Sequence, residues 1–190
     1  MLAEIAQLLV DVVAGFFVYL LLARFHFQWL RVPFRNPIGG FIVGLTDWIV
    51  RPARRVVPGF AGLDLATLVA AWLLQTLALW ALFSLKSTDA AAAATGALPL
   101  LAVLALFDLV RYSLYILIFA LLVQVVLSWL NPHSPVAPIF NTMTRPFLAP
   151  IRRFVPLVAN VDLSPLVLLV LLQVALIALA HLRDLATRWF

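Results

Sequence analysis

The chain is 190 residues long, 65% hydrophobic and only 11% charged, with a mean hydropathy of +1.11 and a formal net charge of +5. An ordinary soluble domain is excluded, because it needs far more polar surface. There is no cysteine, which excludes disulfides and thiolate chemistry.

Residues 5–23 form the first of four apolar runs, each close to the ~20 residues that cross a ~30 Å hydrocarbon layer. Glu4 stands where a signal peptide would carry its basic start, and no small-residue cleavage site follows, so the run reads as a retained span. Asp11 lies inside it, and an ionisable residue within a span is by default a functional candidate.

The connector that follows carries Arg24, Arg31, Arg35, Arg51, Arg54 and Arg55. Its residues 37–50 are apolar, contain Gly39, Gly40 and Gly44, and are too short to span. Such a segment is re-entrant or lies in the interface. Trp29 and Trp48, and later Trp129, suit the headgroup belt. The connector closes on Pro52-Ala53-Arg54-Arg55-Val56-Val57-Pro58. Prolines six apart leave room for about one helical turn, which fixes the arginine pair at the bilayer surface. The pair can grip phosphate or carboxylate, or serve only as a positive anchor. Asp64 is placed to cap the second span, residues 65–85, and to pair with Arg55. Gln75 falls ~16 Å further along and needs a hydrogen-bond partner there.

A connector, residues 86–107, separates the halves. The apolar stretch 98–130 is too long for one upright helix, and Asp108 and Arg111 interrupt it. It reads as one long tilted helix, or as an interfacial helix over 98–107 followed by a span with its core at 114–130. An extra span there would invert the second half. The second connector carries Arg145, Arg152 and Arg153, with an apolar stretch at 136–147, and Asp162 is placed to cap the fourth span, residues 163–180 with Gln173, and to pair with Arg153.

The two halves spell the same phrases. Arg24 to Leu30 matches Gln124 to Leu130 at an offset of 100. Asn36-Pro37 matches Ser134-Pro135 at 98, and from there Thr46, Pro52, Arg54-Arg55, Pro58, Asp64 and Gln75 match Thr144, Pro150, Arg152-Arg153, Pro156, Asp162 and Gln173. Repetition at proline and charged positions points to a tandem duplication. The expected fold is all-α: a polytopic membrane protein with four transmembrane helices as two parallel repeats, residues 1–85 and 108–190. Parallel repeats are related by a pseudo-twofold axis along the membrane normal. Asp11 and Arg111 fall at equivalent places, where an ion pair would form if the first and third spans meet.

The pattern of Trp, Asn/Ser-Pro, Pro-x-Arg-Arg-x-x-Pro and Asp-Leu resembles the YggT (YlmG) family of small integral membrane proteins. Ser128-Trp129, Pro146 to Arg153 and Asp162-Leu163-Ser164-Pro165 carry it best; the first copy departs at Gln28, Trp48 and Leu65-Ala66-Thr67. The resemblance implies an integral membrane protein without an established enzymatic activity, and links to osmotic-stress tolerance, envelope or division roles and, in plastids, haem attachment in a cytochrome complex.

Nine arginines border the two motif connectors against four basic residues elsewhere, Lys86, Arg111, Arg183 and Arg188. Positive-inside weighting puts the motif connectors in the cytoplasm and both termini outside, in a bacterial inner membrane. His26, His133 and His181 are scattered without metal-ligand spacing, no catalytic motif appears, and no cofactor or nucleic acid is implied. The expected function is a non-enzymatic scaffold or assembly factor. It would bind anionic lipid or a membrane, division or assembly protein through Arg54, Arg55, Arg152 and Arg153, and a homo-oligomer is admitted. The alternative is a small channel or transport accessory, with Gln75, Gln173 and Asp11 lining a polar path.

Overall fold

The computed structural model describes residues 1–59, 63–86, 90–131, 133–155 and 162–189. Pro156, which closes the second motif, lies outside them. The described residues form six helices: α1 Leu2–Trp29, α2 Pro37–Val56, α3 Leu65–Lys86, α4 Ala90–Leu130, α5 Ala137–Ile151 and α6 Ser164–Trp189. Four of them, α1, α3, α4 and α6, are long and apolar enough to cross a membrane. Their outward faces are apolar, with Leu8, Phe119 and Ile177 among the exposed side chains, as a lipid solvent requires.

Local chemistry sets the helix ends. α1 closes in a Schellman motif: Val32 N–H donates to Phe27 O at 2.8 Å and Arg31 N–H to Gln28 O at 3.2 Å. Buried Val32 and Phe27 share one apolar cluster beneath that turn. The left-handed position is Arg31, with φ 54°, where glycine is usual; a side chain there costs about 1 kcal/mol. Pro33 then stops the helix. Asn36 caps α2, its Oδ1 accepting from Gly39 N–H at 2.7 Å, with Pro37 in the first turn. A Cβ on Gly39 would come within 2.6 Å of Phe34 O, so the chain turns there only with glycine.

α2 and α5 are the short amphipathic helices of the two connectors. α2 buries Gly39, Ile42, Thr46 and Val50 at helical spacing, and leaves Phe41 and Trp48 exposed. It runs on through Pro52, so Arg54 and Arg55 sit in its last turn. α5 likewise contains Pro146 and Pro150, and Arg152 and Arg153 follow its end.

Of the readings for residues 98–130, the single long helix is the one formed. The candidate span Gly96–Leu130 has 35 residues, or ~52 Å. It would fit a ~30 Å layer only at a tilt beyond 50°, outside the range of roughly 0–40° that spans adopt. α4 therefore projects past the hydrocarbon.

α1, α2 and α3 pack against one another, and so do α4, α5 and α6. The main junction between these triads is α3 against α4, supported by α1 against α4. A twofold axis would also lay α6 on α1 to the same extent; among the described residues no comparable contact is made. The triads join side by side rather than around an axis.

Candidate functional site

In both connectors an arginine reaches ten residues down the chain to an aspartate at the start of the next span. Arg54 Nη2 lies 2.5 Å from Asp64 Oδ2, and Arg152 Nε lies 2.8 Å from Asp162 Oδ2. The first arginine of each pair forms this clasp, not Arg55 or Arg153 as the sequence suggested. In α2 the reason is helical phase: one side chain of an adjacent pair can face the next span, and its neighbour is turned ~100° away; the turn that follows α5 sorts Arg152 and Arg153 the same way. Asp64 also caps α3, accepting from the Thr67 hydroxyl at 2.6 Å and Thr67 N–H at 3.4 Å. Asp162, one residue earlier relative to α6, accepts from Ser164 N–H at 2.9 Å.

Burial pushes both carboxyls up, but the opposing bonds win. Arg54 and Thr67 hold Asp64 below the ordinary carboxylate range, and Ser164 and Arg152 do the same for Asp162. The unfolded chain therefore binds more protons at acidic pH, and stability rises with pH there. The clasps' contribution is complete above the unfolded carboxylate pKa and is lost as pH falls through the depressed folded values. Melting temperature scanned from pH 7 to 3 should fall in this window, and Asp64→Asn with Asp162→Asn should flatten the fall. An equally steep profile in the double variant would remove the clasps as its cause.

Arg55 and Arg153 are exposed, and neither forms an ion pair among the described residues. Exposed Arg31 and Arg35 lie at the same end of α1. Phe154, 86% exposed, follows the second pair directly in the chain, and Trp129, 78% exposed, lines a cleft together with Arg152. An open cleft of about 830 Å³ at this end is lined by Gln28, Arg31, Arg54 and Asp64. A second, largely apolar one of about 630 Å³ is lined by Ser128, Trp129, Arg152, Asp162 and leucines of α4 and α6.

A further tie joins each short helix to the long one before it. Arg24, 4% exposed, donates from Nη1 to Thr46 Oγ1 at 2.8 Å and pairs with Asp47 Oδ1 at 2.9 Å. Arg51 holds the other oxygen of Asp47 at 2.8 Å. At the matching place in the second half, Thr144 bonds to Gln124, and Arg145 is exposed.

The polar centre of the bundle is Asp108, 2% exposed, which the sequence showed only as an interruption. Gln75 Nε2 on α3 donates to Asp108 Oδ2 at 2.9 Å. Arg111 Nη2, one turn on, lies 3.1 Å from Oδ1, and Arg183 Nε of α6 lies 3.6 Å from it. Three helices and both triads thus meet on one carboxylate. Arg111 Nε and Arg183 Nε are buried without an acceptor, beside a cavity of about 80 Å³, room for water. The lone acid three residues before an arginine in an apolar run was the available signal.

Arg111 thus pairs with Asp108, while Asp11 is exposed on α1 and forms no ion pair among the described residues. Gln75 is buried but Gln173 is exposed on α6, so the two glutamines do not converge. Among the described residues no cluster of three or more metal-ligating side chains occurs.

The family model described as CCB3/YggT matches residues 3–85 and 103–183. An uncharacterised protein of Pseudomonas aeruginosa is 32% identical over 160 residues, covering 83% of this chain and 79% of that protein. A protein encoded in the proC 3′ region of Vibrio alginolyticus is 31% identical, covering 88% and 89%. YggT of Escherichia coli K12 is 30% identical, covering 87% and 84%. No solved structure matches the chain.

Proposed function

The chain belongs to the CCB3/YggT family, and on that premise we propose that it is a non-enzymatic membrane scaffold or assembly factor whose arginine-rich connectors hold anionic headgroups or an acidic partner. The observation that carries this reading is the division of labour within each arginine pair. Arg54 and Arg152 are used by the fold, whereas Arg55 and Arg153 are exposed and form no ion pair among the described residues, Arg153 next to the exposed Phe154. A guanidinium with its fork free on a surface of that kind suits phosphate or carboxylate. Arg31 adds to it, kept exposed in a backbone conformation that glycine would hold at less cost. In this reading α2 and α5 lie in the interface and the two connectors face the cytoplasm of a bacterial inner membrane, which the nine-to-four distribution of basic residues favours.

Arg55→Gln with Arg153→Gln should leave melting within about 0.5 kcal/mol of the parent, as surface changes do. The same variant should lose retention of anionic lipid, at roughly 1 kcal/mol per arginine, or recovery of the partner from membranes. Lipid retention by native mass spectrometry and a membrane pull-down read the two occupants separately. Unchanged retention together with unchanged recovery would sink the reading.

A further inference from the structure

The α3–α4 junction has two halves, and each half has a double that is left open. On α4, Leu104, Ala105, Asp108 and Leu109 are buried, and Trp72 and Gln75 of α3 reach this stripe at Ala102 and Asp108. One hundred positions earlier, α1 carries Glu4, Ile5, Leu8 and Leu9 at the same helical phase, and all four are exposed: Leu8 is 63% accessible where Asp108 is 2%. On α3, Gln75 is buried; its double Gln173 on α6 is exposed, between Val170 at 55% and Ile177 at 60%. The chain thus ends on one side in a copy of the α3 face and on the other in a copy of the α4 face.

Each open face carries a polar side chain that lipid cannot satisfy, besides Glu4 at the N-terminal end of α1, which pairs with the N-terminal ammonium at 3.2 Å. Gln173 has an amide on a span surface, and an amide in hydrocarbon needs a partner. Asp11 has a carboxylate one turn from Leu8 on α1, on the same side of the helix. The internal junction already joins an amide to a carboxylate, Gln75 to Asp108.

We propose that the chain self-associates head to tail, α6 of one copy packing on α1 of the next as α3 packs on α4, with Gln173 donating to Asp11 across the contact. The occupant is a second copy because the complementary face is on the same molecule. The contact is heterologous, so it continues into a ring or a filament rather than stopping at a symmetric pair. This inference stands on the equivalence of the two halves in sequence, not on the headgroup reading.

The cysteine-free chain permits a clean test. Leu8→Cys and Gln173→Cys in one molecule, oxidised in native membranes, should produce a ladder of dimers and higher species. Each single-cysteine variant should stay largely monomeric, because neither position meets itself in a head-to-tail contact. A ladder from the pair alone establishes the contact. Absence of a ladder, or dimers from the single variants in equal yield, overturns it. Because the pair removes Gln173, the polar tie is read on the cysteine-free protein: Gln173→Leu should shift it from oligomer toward monomer in mild detergent by light scattering, with unchanged helix content by circular dichroism. An unshifted oligomer would remove Gln173 from the contact.

Discussion

Asp108→Asn should lower the stability of the bundle by about 3 kcal/mol, read as a drop in melting temperature in detergent. Removing one member of a buried ion pair strands the other, at roughly 3–5 kcal/mol. Two guanidiniums depend on Asp108, but the Arg111 and Arg183 side chains are 37% and 33% exposed and can turn partly to water. The lower end of the range is therefore expected. Asparagine keeps the shape and an oxygen for Gln75, so charge, not packing, is what the variant removes. Replacing Asp108, Arg111 and Arg183 by leucine, together with Gln75, which would otherwise lose its acceptor, should recover most of the loss, since an apolar core without stranded polar groups is about as stable as a paired one. A melting temperature for Asp108→Asn within about 2 °C of the parent would show that the carboxylate holds nothing; at 150–250 residues, 1 kcal/mol corresponds to roughly 2–4 °C.

Arg24→Gln should cost about 2–3 kcal/mol. It takes from Asp47 its buried partner and leaves the mostly exposed Arg51 as the sole counterion, while the buried Thr46 loses a donor. The second half indicates the cure. At the places of Arg24, Asp47 and Arg51 it has Gln124, Arg145 and Ala149, and there the glutamine meets a threonine with no acid beside it. Installing all three, Arg24→Gln, Asp47→Arg and Arg51→Ala, should recover more than half of the loss. If the triple variant melts no higher than Arg24→Gln, the two sets are not interchangeable solutions of one contact.

The spans were legible because length and apolarity are properties of consecutive residues, and lipid demands both. The Asp64 cap was legible for the same reason: it acts on a residue within three positions. Which arginine of each pair forms the clasp was not, because it depends on the phase at which α2 and α5 meet the next helix. The Asp108 centre was hidden more deeply. Its partners stand 33 positions before it, three after and 75 after, on three helices, and no spacing rule joins them. Gln75 and Gln173 occupy matching places in the sequence yet differ in surroundings, because a side-by-side junction has an inside for one and an outside for the other.

The Arg24–Asp47–Arg51 cluster also restricts the order in which its members can be replaced. Either arginine can vanish while the aspartate keeps the remaining one. The aspartate cannot vanish first, since that would leave Arg24 charged and enclosed with no counterion. Arg24 is tolerated only while Asp47 is present, so of the single-step routes from Arg24, Asp47 and Arg51 to glutamine, arginine and alanine, those that remove the acid first pass through an enclosed guanidinium without a counterion.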